Sequence, residues 1–417
     1  MEDEAALRRL MTRRYLLGKA GAGGLALLSA PSWASAGWAE NMVNLAFPGG
    51  VDERPFTTAF PQKGKMILQR TRAPLLETPF EVFDKGVFTP NDQFFVRWHW
   101  AGIPNSIDVN TFRLKIHGHV GRPLSLSLKD LIHGFERTEI AAVNQCSGNS
   151  RGFFQPRVAG GEWGNGAMGN ARWTGVRLKD VLDKAGVKAG ALQVRLRGLE
   201  QPTVSDAPHF LKSLDIDHAR DGDVMIAYAM NGEQMPLLNG FPLRLVVPGW
   251  YATYWIKMLH DIEVLNQPDT NFWMKTAYTI PDTPHANMKP GETGLKMVPI
   301  NRMVPRSFVT NLHSGASVHA GKPNLVRGIA LGGDTGVKKV EISTDGGKSW
   351  QSTRLGKDEG KYSFRQWHAQ FTLPTPGKYS VMVRCTNDHG IAQPDTPNWN
   401  PAGFMRNVIE SIAVVAA

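Results

Sequence analysis

Cysteine is scarce in this sequence: two among 417 residues. Two thiols cannot build a disulfide framework, a Cys-rich zinc site or an iron–sulfur cluster. No Cys-x-x-Cys-His occurs either, which excludes ordinary covalent haem attachment in this chain. Long apolar runs are also missing; none approaches the ~20 residues a membrane-spanning helix needs. Acidic residues are in deficit, 37 against 47 Lys plus Arg, giving a formal charge of +10. What the chain has in quantity is Gly (43), Pro (27), Trp (12) and Phe (19), with 42% hydrophobic residues. That composition excludes disorder and points to a turn-rich chain with a large core, long enough for two or three domains.

Residues 1–36 read as an export signal rather than as fold. Thr12-Arg13-Arg14-Tyr15-Leu16-Leu17 is a twin-arginine pattern, followed by a Gly-rich apolar run from Ala20 to Ala30 and the small-residue cleavage site Ala34-Ser35-Ala36. The twin-arginine route carries folded proteins, so the pattern predicts a cofactor enzyme of the bacterial periplasm. This segment holds five basic and three acidic residues, so its removal leaves 381 residues at +8. Such a charge attracts an anionic substrate or an acidic protein. The basic residues are dispersed, which disfavours nucleic acid.

Residues 37–90 are Pro-punctuated and predict an irregular arm wrapped on the body. From 91 to 280, short β-rich runs such as Phe94–Trp98 and Phe112–Ile116 alternate with brief amphipathic helices over Leu128–Phe135 and Leu178–Ala185. In the second helix Leu178, Val181, Leu182 and Ala185 share one face, and Gly186 follows as a C-terminal cap. The class is α+β. Residues 281–417 differ: after a Pro-rich connector, Val340 and Ile342, and later Tyr379, Val381, Val383 and Cys385, alternate with polar neighbours at period two. Asp345-Gly346-Gly347 supplies a hairpin turn, and the pattern predicts an immunoglobulin-like β-sandwich. Ser343–Trp350 also matches the Asp-box hairpin of propellers, but it occurs once, and a propeller needs it in every blade.

The two thiols have opposite surroundings. Cys385 sits on the apolar face of a strand, the ordinary place for a buried thiol. Cys146 sits in the polar loop Asn144-Gln145-Cys146-Ser147-Gly148-Asn149-Ser150-Arg151, where loop amides and a nearby guanidinium favour the thiolate, a nucleophile or a soft-metal ligand. Cysteine-protease chemistry needs a partner His, and none of the twelve His lies in a recognisable partner motif. His117 and His119 share a strand face without a third ligand and read as a solvated edge rather than a metal pair.

Four separated motifs then stand in order: Thr89–His99 (TPNDQFFVRWH), the Cys146 loop, Ala171–Val176 (ARWTGV) and Asn239–Gly249 (NGFPLRLVVPG). With Trp250–Trp255 and Trp399–Gly403, they resemble the sulfite oxidase family, nearest its bacterial periplasmic sulfite dehydrogenases, from about Thr89 to the C-terminus. The resemblance implies a mixed α/β molybdopterin-binding domain over 91–280 and a dimerisation-type sandwich over 281–417. It implies Cys146 as the thiolate ligand of molybdenum, and Arg97, Arg151 and Tyr278 as substrate-pocket residues. Arg forks suit a small oxyanion, and a phenol donates to oxygen. Pterin contacts are carried onto Phe95, Val96, Arg97, His99, Asp206, Arg244, Trp255, Ile256 and Lys257. They extend to Asn239, where animal members have His. The reaction implied is oxidation of sulfite to sulfate at an oxo-molybdenum centre, with electrons leaving singly for a c-type cytochrome. Partnership is open between a homodimer and a heterodimer with a cytochrome subunit. Alternatives are a sulfane dehydrogenase subunit, a methionine sulfoxide reductase subunit, and a non-enzymatic periplasmic binding or adhesion protein without metal.

Overall fold

The computed structural model describes residues 41–417; the twin-arginine pattern and its cleavage site lie outside them. Among the described residues no helix is long and apolar enough to cross a membrane.

The segment expected to be an irregular arm is ordered differently. It forms four strands, Met42–Asn44, Glu53–Thr57, Met66–Arg70 and Leu75–Glu77, which with Val96–Arg97 from the following segment make a five-stranded meander. Its prolines fall largely in the connections, where a missing N–H costs nothing, and short strands survive between them. The last pairing, Leu75 with Arg97 and Leu76 with Val96, fixes Arg97 on a strand edge.

Two more sheets build the body. One orders Leu211–Asp215, Gln193–Gly198, Leu259–Leu265, Leu114–Gly118 and Leu124–Leu126 side by side. The other pairs Thr138–Gln145, Met168–Arg177 and Met225–Met230, all antiparallel. Helices fill the gaps. Leu128–Gly134 starts at a reciprocal capping box between Ser127 and Asp130. Leu178–Ala185 buries all four residues of its apolar stripe and stops at Gly186, whose φ of +70° suits a residue without Cβ.

The C-terminal part is a two-sheet β-sandwich. Four strands, Arg306–Val309, Pro323–Leu331, Arg365–Thr372 and Arg354–Leu355, face five: Ala316–Val318, Glu410–Ala416, Gly377–Asn387, Val337–Ser343 and Gln351–Ser352. Between them lie Val326, Ile342, Trp367, Val381, Val383 and Cys385, all essentially unexposed. Burial pushes the Cys385 thiol far above its ordinary pKa, so it stays protonated. Asp345 takes bonds from the Ser349 amide and hydroxyl, and the single Asp-box is a rigid hairpin.

The sandwich is not an appendage. Phe308, Ile329, Leu331 and Phe364 belong to the same continuous core as Phe83, Trp173 and Leu245. Phe80 meets Phe308 edge-on at 5.6 Å, and Phe83 meets Phe364 at 5.8 Å. Each large aromatic so buried contributes several kcal/mol at about 25 cal/mol per Å² of apolar surface.

Candidate active site

Cys146 follows the strand Thr138–Gln145 directly, at the start of the long connection to Met168–Arg177. Its amide donates to the Ala167 carbonyl at 2.9 Å, and its carbonyl accepts from the Asn149 amide at 3.0 Å. Asn149 in turn receives the Ala167 amide on Oδ1. The loop is therefore tied at both ends, and the thiol, 8% exposed, looks into a partly open cavity.

The cavity wall is cationic. Arg97 comes from the edge of the N-terminal meander, Arg244 from the strand Arg244–Val246 and Lys257 from the turn after Trp255, and among the described residues no carboxylate lines the space with them. Burial lowers Arg244 to about 9; it lowers Lys257 to about 7, with the Glu200 carboxylate offsetting only part of the lost hydration. Arg244 donates to the Asn239 carbonyl and to Asn144 Oδ1, and lies 5.3 Å from the Trp173 ring centre. Lys257 Nζ lies 4.5 Å from the ring of Trp98. Phe95 and Trp255 complete this end of the wall, and the Trp255 indole N–H is already spent on the Trp250 carbonyl.

At the other side stand His99, Phe210 and Tyr278. His99 Nε2 is 2.7 Å from the Tyr278 hydroxyl, its ring stacks on Phe210, and its Nδ1 lies 3.6 Å from Glu200. Burial, with Arg97 and Lys257 nearby, pushes His99 well below its ordinary pKa; the imidazole is neutral in the working range. Burial also raises Tyr278, keeping it a phenol.

Arg151 is not among the residues that line the cavity; it packs against the Cys146 loop at the cavity's edge, its charge within reach of Cys146 and Tyr278. Nε donates to the Ala402 carbonyl and Nη1 to the Gly161 carbonyl, both at 3.0 Å. Of the other residues singled out in the sequence, Val96 and Ile256 are buried in the core beneath. Asn239 turns away from the cavity: Nδ2 donates to the Phe95 carbonyl and Oδ1 accepts from Lys63. Asp206 is exposed on its loop, bonded to Ser205, and stands apart from the group. Sequence reasoning missed Asn144, Ser147, Phe210, Ala252 and Thr253, which line the space. Asn144 and Ser147 flank Cys146 and were findable by adjacency; Phe210 arrives from a loop with no motif.

The donors left over define what fits. Arg97 Nη1, Asn144 Nδ2, Ser147 Oγ and Arg244 Nε are buried without a partner among the described residues. Buried donors are normally paired, so this set calls for a bound group rich in acceptors and negative charge. A pterin carrying a phosphate and a metal-bound dithiolene meets that demand, and Cys146 adds a soft ligand.

Residues 100–273 match the oxidoreductase molybdopterin binding domain, and residues 298–416 the Mo-co oxidoreductase dimerisation domain. Over 358 residues the chain is 33% identical to mitochondrial sulfite oxidase of Mus musculus, covering 81% of this chain and 63% of that protein. The chain belongs to the sulfite oxidase family.

It is also 31% identical over 351 residues to the sulfite oxidase of Gallus gallus, covering 79% of this chain and 73% of that protein. Its backbone superposes on the sulfane dehydrogenase SoxCD of Paracoccus pantotrophus with a TM-score of 0.70. That match covers 98% of this chain and 100% of the other at 21% identity, a likeness of fold. Cys146 thus lies within the residues that match the molybdopterin binding domain, and the sandwich within those that match the dimerisation domain.

Proposed function

We propose that this protein oxidises sulfite to sulfate. The observation that carries the reading is the cationic cavity around Cys146, whose buried donors lack protein partners. The overall change is SO₃²⁻ + H₂O → SO₄²⁻ + 2H⁺ + 2e⁻. Bound molybdenum supplies the two-electron redox chemistry, which none of these side chains can provide. Cys146 would hold the metal; Arg97, Arg244, Lys257, Asn144 and Ser147 would hold the pterin and its phosphate.

The chain's own residues attract, orient and neutralise the anion. Arg97 offers a guanidinium from the cavity wall and Arg151 one from beside the Cys146 loop, where burial strengthens every charge interaction. Tyr278 donates its proton toward oxygen, and neutral His99 fixes the direction of that hydroxyl without adding charge. Apolar Phe210 and Trp255 exclude water from the rest.

The same reading places the protein in the periplasm after twin-arginine export, with a c-type cytochrome taking electrons one at a time. It takes the sandwich to be immunoglobulin-like and to pair two copies, in keeping with the dimerisation domain it matches.

The test is elemental analysis followed by steady-state assay of the protein matured with molybdopterin. About one molybdenum per chain and turnover of sulfite with ferricyanide or cytochrome c support the reading. Metal without sulfite turnover, but with oxidation of a protein-bound sulfane, would reassign it to sulfane dehydrogenation. Absence of metal would leave a binding protein.

A further inference from the structure

The C-terminal domain does more than pack beside the cavity. Between its strands Gly377–Asn387 and Glu410–Ala416, the chain returns to the Cys146 loop over residues 402–405. The Ala402 carbonyl takes Arg151 Nε, and the Met405 amide donates to the Ser147 carbonyl at 3.1 Å. Phe404 comes between. Its ring lies parallel to that of Tyr278, 5.5 Å between centres at an interplanar angle of 1°, and 5.3 Å from the Arg151 guanidinium carbon.

Phe404 is itself held. Its amide donates to Asn400 Oδ1, and its carbonyl accepts from Asn398 and Asn400, each bond 3.0 Å. Asn400 is wholly buried. On the opposite side the missing side chain of Gly148 makes room for the guanidinium: a Cβ there would stand 2.2 Å from Arg151 Nη2. Arg151 therefore has Nε and Nη1 spent on carbonyls, a ring against it, and Nη2 without an acceptor among the described residues.

We propose that Phe404 is a positioning residue that sets the spacing and orientation of Arg151 and Tyr278, so that both face one small oxyanion. A guanidinium is attracted to an aromatic face, and a parallel ring contact resists tilting. The sandwich thereby contributes to anion affinity in its own protomer. This rests on the sulfite reading above, and deepens it.

The experiment compares wild type, Phe404→Ala, Phe404→Leu, Arg151→Lys and the Phe404→Leu/Arg151→Lys double variant, each matured with molybdenum. Phe404→Ala should raise the KM for sulfite about tenfold, with kcat changed by less than about twofold. Metal content per chain should not change. Phe404→Leu fills the volume without a π face and should fall between the two. In the double variant the two effects should be non-additive, because both act through one guanidinium. An unchanged KM in Phe404→Ala, a Phe404→Leu indistinguishable from wild type, or strict additivity would overturn the proposal. If Phe404→Ala does not accumulate, Phe404→Leu and the cycle decide.

Sulfate binding to the same molybdenum-loaded proteins, measured by calorimetry, separates this proposal from the reading beneath it. If wild type turns over no sulfite yet binds sulfate, and Phe404→Leu binds it more weakly, the reading fails and the positioning role stands. Equal sulfate affinity in both, or none in either, removes the positioning role.

Discussion

The Nε2 of His99 lies 2.7 Å from the phenol oxygen of Tyr278, and both residues border the cavity that Cys146 enters. Because burial and neighbouring cations keep His99 unprotonated, this contact joins two neutral groups. It aims the phenol without placing another charge in an already cationic space.

Tyr278→Phe removes the hydroxyl and leaves the ring stacked on Phe404. The loss of one hydrogen bond, about 1–1.5 kcal/mol, corresponds to roughly a tenfold fall in kcat/KM for sulfite. Metal content should be unaffected. Steady-state kinetics with parallel molybdenum analysis checks both.

Arg97→Ala takes a guanidinium from the cavity wall. Charge-assisted bonds contribute about 1.5–3 kcal/mol, so the KM for sulfite should rise by about one to two orders of magnitude. High salt should reduce the gap between variant and wild type to a small extent only, since the site is buried.

Cys146→Ser replaces the proposed metal ligand by a hydroxyl in the same loop. Molybdenum per chain should drop sharply or the centre become inactive, while the folded domain persists, because the loop's ties run through backbone and Asn149. Elemental analysis and circular dichroism distinguish loss of metal from loss of fold. Retained metal with full activity would remove Cys146 from the ligand set.

Lys212 is wholly unexposed, donates to the Trp273 carbonyl at 2.8 Å, and is lowered to about 7 by burial. Its unfolded value is near 10.5, so between about pH 7 and 10.5 the unfolded state binds more protons and stability rises with pH. Below pH 7 both states are protonated and the burial penalty is complete. Lys212→Met abolishes this dependence. The melting temperature of the variant minus that of wild type should therefore be most positive near pH 6.5 and shrink toward pH 10. A difference that is flat with pH would show that Lys212 is not held as the structure indicates.

Sequence reasoning located the helix Leu178–Ala185 because four apolar residues and a following glycine are local signals. It separated the two thiols because strand alternation and a polar loop are also local. Local signals stop where contacts are made across the chain. The proline-rich arm was read as irregular, yet pairing between Leu75 and Arg97 makes it a sheet that carries a cavity residue. Asn239 belongs with the cofactor residues by its motif, but Lys63, 176 residues away, and the Phe95 carbonyl take up its buried side chain. Arg151 belongs to the pocket by its motif, and what fixes it at the cavity's edge is the Ala402 carbonyl, 251 residues on, which takes its Nε.

By itself the sequence determined the chemistry on offer: one loop thiol, a surplus of cations, scarce cysteine, and an α+β body followed by a strand-rich one. The tertiary structure decided which of those cations lose their water together and face Cys146. That selection depends on burial and on distances between groups a hundred or more residues apart, as between Arg244 and Asn144. No periodicity or spacing along the chain encodes those distances, because they are set by how the sheets and the sandwich pack.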